Sequence, residues 1–314
     1  MSDALPVETR GLVKRYGEIV AVDHVDLSVE PGDVFGYLGP NGAGKTTSLR
    51  ILLGLIRPTA GSARLQGRDP LIDGAKALEG VAGFVEAPRF YPYLSGRRNL
   101  RLLADYDEPV SRARIDEVLE LVELRDRAKD KVGGYSHGMR QRLGIAAALL
   151  RAPRLLLLDE PTTGLDPAGM RDMRELVRRL AGEGITILLS SHLLNEVEEL
   201  CNRVAIIRRG AIVYQGRLRE LLDRAASTYR LHALDPERAR AALLAQPGIG
   251  DVRLDGALRF SADEAAVAAL TVALGQARVA FTALVPETAT LEELFLGMTD
   301  GESSDHDRRA PVAV

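Results

Sequence analysis

Two patterns of apolar and polar residues run along the first two thirds of the chain. Val25, Leu27 and Val29 alternate with polar residues, which is the period-two pattern of a half-buried strand. Short apolar runs at 34–38 and 155–158 are typical of buried strands. The same patterns predict helices at 45–55, 167–180 and 193–200, and strands at 185–189 and 204–207. Because strands alternate with helices, we expect a parallel sheet covered by helices.

Two regions depart from this alternation. Between residues 96 and 151 the apolar spacing is helical throughout, so we expect a helical subdomain that interrupts the sheet domain. Past residue 220 a different order begins. The elements expected there are strand 229–233, helix 236–245, strands 252–254 and 258–261, helix 263–276 and strand 279–284. This β-α-β-β-α-β order is that of the split βαβ, ferredoxin-like fold.

These patterns predict how the chain divides into domains. The expected parts are a flexible N-terminus (1–6), a first domain (7–224), a second domain (225–299) and a disordered, polar tail (300–314). A capping box, Thr290 with Glu293 three residues later, predicts a final short helix near the end of the second domain.

Composition narrows the class of protein. The chain has 314 residues, of which 46% are hydrophobic and 27% charged, as in a globular protein of about two domains. The net charge of −3 gives no positive field for nucleic acid, so no nucleic-acid partner is expected. The single cysteine, Cys201, excludes an internal disulfide and is expected to be a small buried hydrophobe. The longest stretch without a charged residue, Ala265 to Ala277, is shorter than the roughly 18 residues of a membrane-spanning helix, so we expect no such span.

A glycine-rich stretch follows the strand at 34–38 and opens the helix at 45–55. Its sequence fits G-x-x-x-x-G-K-[ST] and predicts contacts to nucleotide phosphates from Gly39, Pro40, Asn41, Gly42, Ala43, Gly44, Lys45, Thr46 and Thr47. The glycines allow backbone N–H groups to approach phosphate oxygens, Lys45 supplies a cation, and the Thr46 hydroxyl can ligate Mg²⁺. A chance glycine-rich turn is the alternative, but the flanking strand and helix favour the phosphate loop.

A second chemical element is the pair Asp159 and Glu160, which follows the apolar run at 155–158. In open α/β folds ligands bind at the carboxyl ends of the strands, where this pair is expected. Asp159 suits a contact to Mg²⁺, and Glu160 suits a general base that orients or deprotonates water. Both carboxylates could instead cap or solvate the strand end, but the phosphate loop upstream favours the catalytic interpretation.

Residues 135–143 open a further helix, with Ser136 as a good N-cap. A serine and free N–H groups at a helix start also make a phosphate-binding surface. Spacing alone leaves both roles of Ser136 open.

Taken together, these residues resemble the nucleotide-binding subunits of ATP-binding cassette transporters. The phosphate loop, the carboxylate pair, Thr163 to Pro167 and Ser190 to His192 occur in that family's order, and 135–139 takes the place of its signature motif. The resemblance covers about Val7 to Arg224 and is closest to exporter ATPases of the daunorubicin and bacitracin resistance type. It implies an α/β ATPase of the P-loop NTPase fold with a helical subdomain, followed by a small α+β ferredoxin-like domain.

The resemblance assigns further roles. It implies that Tyr16 stacks on adenine, although an ordinary strand-end tyrosine is the alternative. His192 would contact the γ-phosphate together with the catalytic groups Lys45 and Glu160, and Asp166 would communicate across a dimer. Ser136 and Gly138 would contact the nucleotide of the other protomer. The family therefore implies a dimer, expected to be a homodimer, that holds two ATP molecules with Mg²⁺.

Three residues depart from the family's pattern. Glu86 stands where many members have glutamine, in the loop that senses the transmembrane partner. A carboxylate there can still ligate Mg²⁺, so Glu86 joins Thr46 and Asp159 as an expected metal ligand. His137 and Met139 stand where the commonest signature has glycine and glutamine. The exporter subgroup often has methionine, whereas His137 is either functional or an ordinary surface histidine.

The expected function is an ATP-binding and ATP-hydrolysing subunit that powers a separate permease of about six spanning helices. The resemblance to the exporter subgroup implies export of a drug, antibiotic or small amphiphile, with the subunit at the cytoplasmic face of the cell membrane. Cassettes that act on nucleic acid are the main alternative, but this chain has one phosphate loop, one cysteine and no basic stripe. A ligand-sensing role of the ferredoxin-like domain would add to transport without replacing it.

Overall fold

The computed structural model describes residues 4–105, 112–225 and 228–287, together with 291 and 294–295. The chain divides into two compact units between Gly216 and Arg217. This division lies earlier than the limit of 224 expected from the sequence, because the helix that follows belongs with the second unit. The predicted domain limits themselves stay predictions.

The first unit contains the alternation of strands and helices that the sequence predicted. Its strands are β1 (Val7–Tyr16), β2 (Ile19–Val29), β3 (Val34–Leu38), β4 (Ala60–Leu65), β5 (Val81–Phe84), β6 (Leu155–Asp159), β7 (Thr186–Ser191), β8 (Arg203–Arg208) and β9 (Ala211–Arg217). Its helices are α1 (Lys45–Leu52), α2 (Gly96–Ala104), α3 (Arg112–Leu121), α4 (His137–Leu149), α5 (Pro167–Gly182) and α6 (Leu194–Leu200), with short 3-10 turns at Gly74–Leu78 and Val132–Gly134.

Two sheets organise the first unit. A six-stranded sheet has the order β5-β6-β7-β3-β8-β9, with parallel pairing from β5 through β8, and a three-stranded antiparallel sheet has the order β2-β1-β4. In the parallel sheet Leu38 pairs with Ser191, and Asp159 pairs with Ser190. The carboxyl ends of β3, β6 and β7 therefore meet at one edge of the sheet.

Burial of apolar side chains holds that edge in place. One buried cluster joins the two sheets and α1, and includes Leu27, Tyr37, Leu49 and Leu188. All four leucines of β6 at 155–158 are fully buried. Since burying a leucine contributes about 1.5–3 kcal/mol, β6 is anchored along its whole length before its carboxylates begin.

Helix α1 ends at Leu52, three residues earlier than the sequence predicted. Gly54 has φ of 69°, in the left-handed region. The N–H of Leu55 donates to the carbonyl of Arg50 at 2.8 Å, which closes the helix as a glycine C-cap does. The apolar pattern continued through Leu55, so it did not show this end.

The helical subdomain expected between 96 and 151 is present as α2, α3 and α4, which contact one another. Ser95 and Ser136 cap α2 and α4 through their side chains. Arg142 of α4 pairs with Glu123 and with Asp172 of α5, so charges tie the subdomain to the following helix.

The second unit contains a four-stranded antiparallel sheet with the order β11-β12-β10-β13. Its elements are α7 (Leu218–Ala225), β10 (Thr228–Ala233), α8 (Pro236–Ala245), β11 (Gly250–Asp255), β12 (Ala257–Ser261), α9 (Glu264–Gln276) and β13 (Phe281–Glu287). From β10 onward these follow the predicted ferredoxin-like order around a core that includes Leu231, Leu243, Phe260 and Leu270.

The predicted capping box at Thr290 and Glu293 and the tail from residue 300 lie outside the described residues. Within the described part of the chain, no helix has both the length and the apolar character needed to cross a bilayer.

Candidate functional site

The glycine-rich loop between β3 and α1 needs its glycines. Gly44 has φ of 108°, and a Cβ there would lie 2.2 Å from the carbonyl oxygen of Ala21. A Cβ on Gly39 would lie 2.5 Å from the carbonyl oxygen of Ile207. The loop lines a cavity of about 150 Å³ formed by Ala21, Asn41, Gly42, Ala43, Gly44, Lys45, Thr46, Thr47 and Glu160. This brings most of the predicted phosphate-binding residues, together with Glu160, around one small space.

Lys45 places a cation inside this loop. Its side chain is 4% exposed, and its Nζ donates to the carbonyl oxygens of Gly39 at 2.6 Å and Pro40 at 3.2 Å. The same Nζ lies 3.3 Å from Oε1 of Glu160. A buried ammonium whose partners are loop carbonyls and one carboxylate is suited to bind an anion at this edge of the sheet.

Asp159 is held between two hydroxyl groups. Thr46 Oγ1 donates to Asp159 Oδ2 at 2.9 Å, and Ser190 Oγ donates to Asp159 Oδ1 at 2.5 Å. Hydroxyl and carboxylate oxygens are hard ligands that suit Mg²⁺, which is usually held by one or two carboxylates and by substrate phosphates. The described residues contain no cluster of three or more His, Cys, Asp or Glu that would hold a metal ion by itself. Thr46 and Asp159 therefore fit a Mg²⁺ that arrives with a phosphate ligand.

Glu160 is held by three side chains. Thr163 Oγ1 donates to its Oε2 at 2.7 Å, His192 Nδ1 lies 2.9 Å from the same oxygen, and Lys45 faces the other oxygen. The backbone of Glu160 has φ of 47°, an unusual conformation for a non-glycine residue, and costs of order 1–3 kcal/mol. Surrounding contacts must therefore hold this residue in place.

These contacts also set the protonation of Glu160. Burial raises the pKa of this carboxyl, but the hydrogen bond from Thr163 and the charges of Lys45 and His192 outweigh burial and bring the pKa below its usual value. The carboxyl group is thus ionised at neutral pH, the form that can orient water or accept a proton.

The sequence predicted no role for two hydroxyl residues of the site, Ser190 and Thr163. Ser190 Oγ donates to Asp159 and accepts from the N–H of Glu160 at 3.0 Å, so it joins both carboxylate residues. Thr163 holds the side chain of Glu160. The position of Ser190 could have indicated this role, because Ser190 is the second-last residue of β7, the strand beside β6, and pairs with Asp159.

Glu196 is a further residue that the sequence did not single out. It is 2% exposed, and its Oε2 accepts hydrogen bonds from Thr162 Oγ1 and, at 3.2 Å, from Ser191 Oγ. Burial raises the pKa of Glu196, although these two hydrogen bonds and the charge of Arg174 oppose the rise. Glu196 ties the segment after Glu160 to the segment before His192.

Two predicted residues lie away from this cluster. Tyr16, 47% exposed, ends β1 in the hairpin with β2, whose Ala21 lies against the loop at Gly44. Glu86 pairs with Arg50 of α1, and no described hydrogen bond or ion pair joins it to Thr46 or Asp159. The roles of Tyr16 in stacking and of Glu86 in metal binding stay predictions.

Residues 136–139 and the start of α5 line a second cavity of about 500 Å³. Ser136 caps α4, because its Oγ accepts from the N–H of Met139 at 3.2 Å. Asp166 caps α5 by accepting from the N–H of Gly169 at 2.7 Å. Gly138 lies beside Leu165. The structural role expected for Ser136 is therefore present, and Ser136, Gly138 and Asp166 share one cavity.

Comparison with known proteins identifies the class. The ABC transporter family model matches residues 22–163. The bacitracin transport ATP-binding protein BcrA of Bacillus licheniformis is 47% identical over 208 residues, which cover 66% of this chain and 68% of that protein. The Nod factor export ATP-binding protein I of Burkholderia thailandensis is 35% identical over 308 residues, 96% of this chain and 99% of that protein. This chain belongs to the ABC transporter ATP-binding proteins.

A solved structure shows the same cassette fold. The dimeric post-hydrolysis state of an ATP-binding cassette bound to ADP and Pi is 26% identical, has a TM-score of 0.61, and is matched over 68% of this chain and 98% of that chain. The protein is thus an ATP-hydrolysing subunit of an ABC transporter. Subunits of this family dimerise and pair with a transmembrane permease.

Proposed function

We propose that ATP is hydrolysed at the carboxyl ends of β3, β6 and β7, with Glu160 as the general base. The observation that carries this proposal is the position of the Glu160 carboxylate, which faces Lys45 in the cavity of the phosphate loop and is held by Thr163 and His192. An ionised carboxylate beside a phosphate site can orient water and accept its proton.

The other residues act through charge and position. The N–H groups of residues 39–46 and the ammonium of Lys45 bind the phosphates, and His192 contacts the γ-phosphate. Thr46 and Asp159 hold Mg²⁺, which supplies charge neutralisation of the phosphate oxygens when bound. Tyr16 stacks on the adenine ring.

The second cavity supplies the other half of a shared site. Ser136 and Gly138 of one protomer contact the nucleotide bound at the phosphate loop of its partner, and Asp166 lies between the two sites. Support comes from the start of α4, because Ser136 to Met139 line the cavity and a helix N-terminus is suited to bind phosphate. The assembly is a homodimer that holds two ATP molecules.

The permease partner has about six spanning helices and is engaged at the segment that contains Glu86. A cavity of about 510 Å³ lies beside this segment and is lined mainly by apolar groups, including Phe84, Pro88 and Phe90. Tyr91 and Tyr93 are exposed nearby, with ring centroids 5.7 Å apart. Exposed aromatic side chains beside an apolar cavity are typical of a protein interface.

The direction of transport is export, from the cytoplasmic face of the cell membrane. Support comes from two relatives whose names state bacitracin transport and Nod factor export. The cargo is a drug, an antibiotic or another small amphiphile, and the permease makes most of the choice.

Affinity purification of the full chain from detergent-solubilised membranes tests this function. We expect an integral-membrane permease to be recovered with it, and ATP turnover that is lost when EDTA removes divalent cations. Recovery with DNA or ribosomes in place of a permease would overturn the transport assignment. A matched purification of a Tyr91→Ala, Tyr93→Ala variant should recover less permease while keeping ATP turnover.

A further inference from the structure

His137 occupies a position that helix capping does not explain. It is the first residue of α4, and the cap of this helix is already made by Ser136. His137 is half-buried, and its Nε2 lies 3.0 Å from the carbonyl oxygen of Thr163. The ring rests on Gly164, where a Cβ would lie 3.4 Å from Nε2 and where φ is 78°. The ring is therefore positioned by a contact to the Thr163 carbonyl and by packing against Gly164.

The contact has a defined direction. A carbonyl oxygen only accepts hydrogen bonds, so Nε2 of His137 must carry a proton and donate to Thr163. The hydroxyl of Thr163 donates in turn to Oε2 of Glu160 at 2.7 Å, and its N–H donates to the carbonyl of Glu160 at 3.2 Å. Thr163 is thus held by His137 on one side and holds Glu160 on the other.

Glu160 needs such support. Its backbone lies in the left-handed region, and its Oε2 is shared by Thr163 and His192. A small displacement of Thr163 changes the direction of its hydroxyl and releases one of the contacts that orient the carboxylate. Because general-base catalysis depends on the position of the carboxylate, such a displacement lowers kcat more than it changes nucleotide binding.

We propose that His137 is a positioning residue that links the start of α4 to the general base Glu160 of the same protomer, through Thr163. This inference rests on the proposed function, in which Glu160 is the base and Ser136 and Gly138 contact the partner's nucleotide. It deepens that function, because a movement of Ser136 on nucleotide contact reaches Glu160 through His137. Each protomer then hydrolyses its own ATP fastest when its signature segment is engaged.

The first test compares His137→Ala with His137→Gln in the full chain. Alanine removes the donor, and we expect kcat for ATP hydrolysis to fall about fivefold, the effect of one hydrogen bond, with KM for ATP unchanged. The thermal midpoint should fall by no more than about 2–4 °C. Glutamine offers an N–H of similar reach and should restore most of kcat. The matched control is His232→Ala, which removes an exposed histidine of β10 in the second unit and should leave kcat unchanged.

The second test uses a double-mutant cycle with Thr163→Val, which keeps the carbonyl and the shape but removes the hydroxyl. If His137 acts through Thr163, His137→Ala lowers kcat little further in the Thr163→Val background. If the two substitutions lower kcat independently, so that their factors multiply in the double variant, His137 acts by another route and the proposal is overturned. An unchanged kcat in His137→Ala, or a change confined to KM, would overturn it as well.

These outcomes are separable from failure of the proposed function. Glu160→Gln serves as the reference, because it should lower kcat by about 100-fold or more whether or not His137 has a role. If Glu160→Gln retains turnover, the assignment of the base is wrong. If Glu160→Gln is inactive and His137→Ala is as fast as the unaltered protein, only the positioning role of His137 is wrong.

Discussion

The two units of this protein are both built from helices and a sheet, but they differ in where their polar side chains lie. In the first unit Lys45, Asp159 and Ser190 are buried and contact polar partners at one edge of a parallel sheet. In the second unit the buried residues of the antiparallel sheet are apolar, as at Leu231 and Phe260. Among the described residues, the buried polar side chains lie in the first unit, where the carboxyl ends of the parallel strands meet.

Strand direction explains this difference. Parallel strands bring every carboxyl end, and the loop that follows it, to one edge, so residues distant in sequence meet there. Antiparallel strands alternate in direction and distribute their ends between two edges. The pairing of Asp159 with Ser190, 31 residues apart in sequence, is a direct result of the parallel register.

The largest effect is expected from Lys45→Ala. This change removes the buried cation of the phosphate loop and leaves the carboxylate of Glu160 without its ammonium partner. Turnover should fall by more than about 100-fold, and binding of ATP, measured by titration calorimetry, should weaken strongly. Lys76→Ala, which removes an exposed lysine of the same unit, is the control. Normal binding and turnover in Lys45→Ala would show that the anion site lies elsewhere.

A large effect of another kind is expected from Phe260→Ala in the second unit. Phe260 is fully buried in that core, so its removal should lower the free energy of unfolding by about 3–5 kcal/mol. Urea unfolding measures this loss, and ATP turnover in native buffer should stay unchanged. Val272→Ala, at an exposed position of α9, is the control. If turnover falls together with stability, the second unit shapes the site and the contrast between the units is wrong.

Ser190→Ala is expected to have an intermediate effect. It removes the donor to Asp159 and the acceptor for the N–H of Glu160, while both backbones keep their pairing. We expect kcat to fall about tenfold, since a lost hydrogen bond to a charged group contributes roughly 1.5–3 kcal/mol. Steady-state ATPase assays compare it with Ser62→Ala on β4. Equal kcat values for the two variants would mean that Ser190 has no part in orienting the carboxylates.

The smallest effect is expected from Glu196→Gln, and it depends on pH. Burial raises the pKa of Glu196 above its ordinary value of 4.5, so the unfolded chain ionises first as pH rises. The stability that the protonated carboxyl contributes is complete below pH 4.5 and is lost as pH rises through the folded pKa. As pH rises from 4.5 through the folded pKa, the thermal midpoint of Glu196→Gln should therefore increase relative to that of the unaltered protein. A constant difference between the two midpoints would contradict the raised pKa.

The sequence predicted those parts of the site that local patterns specify. The phosphate loop has fixed residue types because its backbone must approach phosphates. Strand β6 is predicted by the apolar run before Asp159. Local patterns could not predict the roles of Thr163 and Ser190, because their contacts depend on strand register and on the turn after Glu160. The pairing of Glu86 with Arg50 likewise depends on the position of α1 relative to the segment after β5.

In the fold, too, local patterns predicted some features, whereas others depend on backbone conformation. The strands and helices that were predicted lie close to the observed ranges, because apolar periodicity reports which face is buried. Strands β1, β4, β5 and β9 and helix α7 were not predicted. The end of α1 at Leu52 was not visible in that periodicity, since it depends on the left-handed conformation of Gly54. The left-handed backbone of Glu160 was likewise invisible, although it determines where the carboxylate points.

Glu160 is proposed as the general base at this edge of the sheet, and ATP turnover by Glu160→Gln is the decisive measurement. We expect the amide, which cannot accept the proton, to lower kcat by about 100-fold or more while ATP still binds and the dimer is favoured. Glu198→Gln, at an exposed position of α6, gives the same charge change away from the site and should behave as the unaltered protein. Turnover by Glu160→Gln equal to that of Glu198→Gln would contradict the claim.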